Sequence, residues 1–361
     1  MKIATLLSMI LGILLIATGL EKVDPPSGLY VVKVNGKYGF IDRSGKIVIP
    51  PSYDHVLDFQ DGLSMVCVGK KCGFIDLDGK QVIKPQFDDC MSFAEGMAAV
   101  QVGKKWGYID KAGKIVVEPQ FTYTILFSEG LAFAELGNSS GFIDKTGKMV
   151  FKTEGLGSWF SEQLAAVSNA DESKTSFIDH TGKKAFPAIF ESAGPFSEGL
   201  ASVSNKDKNG FIDRTGKVVI PFKSWGPWGG FSEGLAVVFV NQGGAEYIDK
   251  TGKEVITGDF VRAEPFSEGF AAVMIKTGKD TVTSAETQKS SVVMIKSGAK
   301  YGYIDKTGTV VIPAQFAKAG KFVGGLAQVC MESTAPFDFS GQKQPCGYID
   351  KTGKMIWQPS M

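Results

Sequence analysis

One short phrase, a glycine, an aromatic residue, isoleucine and aspartate followed by a turn and Gly-Lys, returns nine times in this chain. It reads GFIDRSGK at 39–46, GFIDLDGK at 73–80, GYIDKAGK at 107–114, GFIDKTGK at 141–148 and SFIDHTGK at 176–183. It continues as GFIDRTGK at 210–217, EYIDKTGK at 246–253, GYIDKTGT at 302–309 and GYIDKTGK at 347–354. The aspartates are Asp42, Asp76, Asp110, Asp144, Asp179, Asp213, Asp249, Asp305 and Asp350; the first seven lie 34 to 36 residues apart, and the last two intervals stretch to 56 and 45. A second element, F-S-E-G-L-A-x-V, recurs eight times between FQDGLSMV (59–66) and FVGGLAQV (322–329). A unit this short cannot bury both of its faces alone, so neighbouring copies must stack into a shared core.

The local chemistry of one copy predicts β-structure. After the second glycine comes a short apolar strand, as in LSMV, which runs into VNGK or VGKK. Asn35-Gly36 suits a two-residue hairpin turn in which both central residues take positive φ, and Gly69-Lys70 and Gly103-Lys104 suit the related turn with glycine first. The box strand follows, then Asp-x-x-Gly, whose aspartate can accept from turn amides and whose glycine takes the left-handed position. A third strand (KIVIP, KIVVEP, KVVIP) is expected to stop at proline. The remainder, such as QFDDCMSFAEG, reads as a short fourth strand or a loop. The expected architecture is all-β: about nine antiparallel meander units of three to four strands, with Phe93, Ile109, Leu131 and Phe196 among the core residues. Insertions interrupt the array at 275–300 and 331–345.

The first twenty residues, MKIATLLSMILGILLIATGL, combine Lys2, an apolar run and a small-residue end. They read as a signal peptide, or failing cleavage as an N-terminal anchor, followed by a linker over 21–27 and the array over 28–361. Export would place the chain in a compartment where disulfides persist. Lys+Arg and Asp+Glu nearly cancel at 39 and 38, with no basic run, so no nucleic-acid surface is expected. Contact with a membrane is expected only through an uncleaved N-terminal segment.

Repetition argues against catalysis by the repeated residues, because a reaction needs one pocket and not nine equivalent turns. The nine aspartates are therefore expected to serve the turns. The two histidines, His55 and His180, are not placed beside a nucleophile in the pattern, and KTGK lacks the spacing of a phosphate loop. No catalytic residue, metal site or cofactor is expected. Candidate ligand contacts lie where copies differ: Trp159, Trp225 and Trp228 occupy the connection before F-S-E in two copies and could stack on a sugar ring or hold an apolar side chain. The alternative is that these tryptophans replace core contacts missing from irregular copies.

Cysteine placement carries its own prediction. The hairpin register sets Cys67 opposite Cys72 in a non-hydrogen-bonded pair, with side chains on one face. Cys330 and Cys346 hold the same two places in the last copy, so two cross-strand disulfides are expected, with Cys90 left unpaired. The place of Cys72 belongs to Trp106 in another copy.

The Trp106-Gly107 pair, the IDKTGK turn and the F-S-E-G-L-A element together resemble the WG-repeat proteins of bacteria, over residues 28–359. The resemblance implies an all-β repeat fold and, for many members, export; it implies no defined activity. Closure into a propeller-like ring and an open β-superhelix both fit, since 34 residues is short against the about 40–45 of a common propeller blade. The function expected is an exported, non-enzymatic scaffold that binds an unknown protein or glycan through variable loops. The rivals are a structural cell-envelope spacer and, more remotely, a hydrolase of envelope polymers.

Overall fold

The computed structural model describes residues 27–240, 244–278, 281–287, 290–296, 298–331 and 346–358. The N-terminal apolar segment, nearly all of the 21–27 linker and nearly all of the 331–345 insertion lie outside the described residues. Among the described residues every regular element is a strand, every pairing is antiparallel, and no helix is long and apolar enough to cross a membrane. The run of repeats divides into two compact units, one ending at Lys223 and the other beginning at Ser224, at a boundary between sheets.

In the first unit, the strands Tyr30–Val34, Lys37–Ile41 and Ile47–Tyr53 form a three-stranded sheet. Four-stranded sheets follow over 55–87, 89–121, 123–153 and 192–223, with a two-stranded pair, Ala165–Ser168 and Thr175–Ile178, between the last two. The second unit holds four-stranded sheets over 225–256, 260–316 and 318–357. Its insertion over 275–300 contributes a separate two-stranded hairpin, Thr281–Thr287 with Ser290–Lys296.

The segment read as a fourth strand or loop opens the following sheet. Asp89–Ala94, for example, pairs with Met97–Val102, which pairs with Lys105–Asp110 and then Ile115–Phe121. What joins the first two is the Glu-Gly of the F-S-E-G element. Glu95, Glu129, Glu233 and Glu268 take φ of 51–55° and the glycines after them 82–87°, the two positive values of a type I′ turn.

The third strand does not stop at proline. Ile47–Tyr53, Gln81–Phe87, Ile115–Phe121, Val218–Lys223 and Val310–Phe316 all run through it, at Pro50, Pro85, Pro119, Pro221 and Pro313. Each of these strands is the last in its sheet, and the ladder skips residues there: Trp106 faces Phe121 while Tyr108 faces Val117. A proline at a bulge on an edge strand sacrifices no ladder hydrogen bond, and it hinders another strand from adding to that edge.

The box glycine answers the same bulge. A Cβ built on Gly107 would stand 2.4 Å from the Val117 carbonyl oxygen, and one on Gly39 would stand 2.4 Å from that of Ile49. Two copies lack this glycine, and both lose third-strand pairing. Where Ser176 replaces it the sheet keeps only two strands, joined to its continuation by isolated bridges such as Ile178 with Lys184. Where Glu246 replaces it the third strand shrinks to Glu254–Ile256.

Packing between sheets follows from the aromatic in the box. Phe40, Phe74, Tyr108, Phe142, Phe177, Tyr247 and Tyr303 each lie against the phenylalanine that opens the next F-S-E-G element, with ring centroids 4.8–5.1 Å apart. Such a pair contributes about 0.5–1.5 kcal/mol beyond the area it buries. In three of the four copies whose box aromatic is tyrosine, its hydroxyl donates onward to a backbone carbonyl: Tyr108 to that of Ile125 at 2.7 Å, Tyr247 to that of Glu264 and Tyr303 to that of Gly320, both at 2.8 Å. Burial pushes all three phenols well above their ordinary range, which keeps them protonated as donors.

Candidate functional site

Each box carboxylate is occupied by its own turn. Asp144 Oδ1 accepts from the Thr146 amide at 2.9 Å, the Thr146 hydroxyl at 2.6 Å and the Lys148 amide at 3.2 Å. The same amide pattern recurs at Asp42, Asp76, Asp110, Asp179, Asp213, Asp249, Asp305 and Asp350. The hydroxyl two residues on is the main cause that holds the Asp144, Asp179, Asp213 and Asp249 carboxyls below their ordinary range. One oxygen of each carboxylate, Oδ1, is thus engaged by its own turn.

The F-S-E-G carboxylates are also committed, in a way that local turn rules do not reveal. Glu95 accepts from the Gly130 amide of the following copy at 3.0 Å and pairs with Lys145 at 3.2 Å. Glu233 and Glu268 repeat this with the amides of Gly269 and Gly325 and with Lys306 and Lys351. Asp61, Glu129 and Glu162 accept from the amides of Gly96, Gln163 and Gly199. The neighbouring serine adds a second link, because the hydroxyls of Ser128, Ser161, Ser232 and Ser267 donate to the carbonyls of Phe160, Phe196, Phe266 and Phe322 at 2.6–2.8 Å. The element is a clasp between successive sheets. A carboxylate two carbons from the backbone reaches the next copy, and this explains a glutamate in a turn position that otherwise favours asparagine or glycine.

The cysteines sit as their register requires. Cys67 faces Cys72 and Cys330 faces Cys346, each pair disulfide-bonded with Cα atoms 4.0 and 3.9 Å apart. Cys90 is a buried free thiol in the core cluster that also contains Cys67 and Cys72. Burial first, and the Asp89 charge second, push its thiol far above the ordinary range, so it is held as the unreactive protonated form.

The tryptophans do not form one exposed platform. Trp225 is 8 % exposed and opens the strand Trp225–Ser232, opposite Val240, so the expectation of a loop residue free to stack on a ligand is corrected for it. The cause is pairing: the connection before F-S-E is itself a strand, and the first position of this one points into the core. Trp228 lies on the same strand opposite Val237, and its side chain is outside the described residues. Trp159 is half-buried between the bridge of Gly157 with Val167 and the Ser161–Leu164 turn.

Departures from the repeat do converge elsewhere. Around 163–214 the copies substitute Gln163 for the clasp glycine, His180 for the box lysine, and Arg214 for the lysine of the next box. His180 keeps the lysine's partner, with Nε2 3.2 Å from Glu129, and its ring stacks on Phe160 at 4.2 Å. Gln163 holds φ at +72°, where other copies use glycine. Between these substitutions lies a cleft of about 380 Å³ lined by Gln163, Leu164, Asp179, His180, Thr181 and Arg214. Sequence reasoning passed over it because each substitution is minor alone and only the fold brings the three together. Among the described residues no cluster of His, Cys, Asp and Glu is placed to hold a metal ion.

A series of antiparallel sheets, joined by aromatic pairs and carboxylate clasps, defines a tandem-repeat scaffold. The WG containing repeat matches residues 38–72, 73–106, 106–139, 176–208, 210–224, 247–279 and 301–334, more than half of the chain, and the protein belongs to that family. Among solved structures, one described as the eukaryotic initiation factor is similar over 93 % of this chain and 96 % of its own, with TM-score 0.60 and 10 % identity, a likeness of fold. The computationally designed Ika8 protein covers 76 % of this chain and 91 % of its own, with TM-score 0.47 and 11 % identity. BamB from Moraxella catarrhalis covers 71 % and 94 %, with TM-score 0.41 and 11 % identity. No curated protein matches the chain by sequence.

Proposed function

We propose that this protein is an exported, non-enzymatic scaffold that binds a glycan or protein of the cell envelope at positions where its copies differ. The observation that carries this reading is that the repeated acids are engaged by the architecture: nine through one oxygen in turns, and the clasp carboxylates in joints between sheets. Recognition is left to the substituted positions, of which the 163–214 cleft is the clearest group. The two disulfides support export, since such bonds persist in oxidising compartments.

Two measurements test the reading. A phosphatase reporter that is active only outside the cytoplasm, fused after residue 27, should be active; an inactive, intracellular fusion removes the export half. The purified oxidised chain should be retained on isolated envelope polysaccharide or peptidoglycan in a saturable manner. Absence of saturable retention on every polymer sinks the glycan version and leaves the spacer reading in its place.

A further inference from the structure

The 163–214 cleft contains an uncommitted cation. In the box position after aspartate, Lys145, Lys306 and Lys351 are all drawn into the clasp by Glu95, Glu233 and Glu268. Arg214 holds that position in its own copy, yet its side chain makes no ion pair or hydrogen bond among the described residues. Each acid around the cleft already has a hydrogen-bond partner, and Asp179 keeps its second oxygen, Oδ2, unbonded among the described residues. Asp179 Oδ1 accepts from the Thr181 amide and hydroxyl and the Lys183 amide. Glu129 faces the Gln163 amide and His180, and Glu162 faces the Gly199 amide.

What remains available has a definite chemistry. Arg214 offers a planar fork of donors that matches a carboxylate. The Gln163 side chain supplies an amide donor and acceptor, and the Thr181 oxygen, whose proton is used on Asp179, keeps lone pairs for a donor. Leu164, 7 % exposed, gives a small apolar floor. Its volume falls within the range of small-ligand sites.

We propose that this cleft binds a saccharide unit bearing a carboxylate, with Arg214 on the carboxylate, Gln163 and Thr181 on ring hydroxyls, and Leu164 under the ring's C–H face. This deepens the scaffold reading and rests on it. An apolar peptide side chain would find little to bury here, whereas a hydroxylated ring with one negative charge meets Arg214 with its carboxylate and Gln163, Thr181 and the unbonded Asp179 Oδ2 with its hydroxyls.

The test is titration of the full oxidised chain with glucuronate, glucose, acetate and a short peptide with a free C-terminal carboxylate, followed by calorimetry or ligand-observed NMR. Glucuronate should bind saturably, with glucose and acetate weaker by roughly tenfold or more. Arg214→Ala should weaken glucuronate by roughly tenfold or more, and Arg214→Lys by an intermediate factor, because the charge stays and the fork is lost. Gln163→Ala provides a second variant away from the cation, expected to weaken glucuronate and glucose alike. All three substitutions are on exposed side chains, and an unchanged thermal midpoint verifies folding. The proposal is overturned if glucuronate shows no saturable binding, if glucose equals it, if Arg214→Ala has no effect, or if the peptide binds more tightly. Any of these leaves retention on envelope polymer intact, so failure of this site is distinct from failure of the scaffold reading.

Discussion

At the scale of single residues, the box glycine makes room for the bulge of the third strand and the box aspartate ties the turn before it. Gly107→Ala would drive a methyl group against the Val117 carbonyl, and rigid backbone cannot yield as a side chain can. A loss of about 1–3 kcal/mol is expected in urea unfolding, while alanine at Gly96, which faces open space, is governed by its positive backbone φ alone. The aspartates make a prediction about acid. Asp144 and Asp213 are held below the ordinary carboxyl range, chiefly by the hydroxyls of Thr146 and Thr215. A folded-state value below the unfolded one adds stability that is complete above the unfolded value, near 3.8, and is lost as pH falls through the folded value. Thr146→Val with Thr215→Val should therefore lower stability at pH 7, and its deficit relative to wild type should shrink as urea midpoints are followed below about pH 4. A deficit that stays constant with pH would show that the hydroxyls do not act through the carboxylates.

At the scale of elements, the F-S-E-G turn is both a hairpin and a joint. The Glu95–Lys145 pair is partly exposed, at 32 % and 43 %, so solvent screens it. A double-mutant cycle with Glu95→Gln and Lys145→Met should give a coupling of about 0.5 kcal/mol. Ser128→Ala should cost more, about 1 kcal/mol, because it leaves the Phe160 carbonyl without its donor in a part-buried joint. This is also where the limits of sequence reading are plainest. The Asn35-Gly36 turn was legible because both residues suit positive φ, and the structure places them at 50° and 83°. Glu95-Gly96 makes the same kind of turn yet hid from that rule, since glutamate has no local reason to adopt φ of 52°. Its reason lies 35 residues away on Gly130, beyond any local pattern. The prolines misled for a related reason: in isolation they mark a strand's end, and only the sheet order shows that they lie on an edge.

At the scale of the whole molecule, covalent links reinforce what the repeats already build. Treating the closed loops by chain entropy, loss of Cys67–Cys72 should cost about 2 kcal/mol and loss of Cys330–Cys346 about 3 kcal/mol, as the second closes the longer loop. Serine replacements of each pair, followed by thermal unfolding, check that order. The oxidised native chain should show no thiol reactive to a disulfide reagent, and unfolding without reductant should release one, Cys90. Release of more than one overturns the pairing. The pairing was readable because the hairpin register is set by four adjacent residues, Val68 to Lys71. The cleft was not, because Gln163, His180 and Arg214 come from three turns that only the stacking of copies brings side by side.

The clasp has one further implication. Its two halves belong to every ordinary copy: a serine and a glutamate that reach forward, and a glycine amide and a phenylalanine carbonyl that receive. A period of the gene copied in tandem would therefore encode a module that already fits on both of its sides, with no compensating substitution in either neighbour. Chain length in such a protein can change by whole periods without inventing a new interface, so novelty can accumulate in single copies, as at His180, while the joints stay in service.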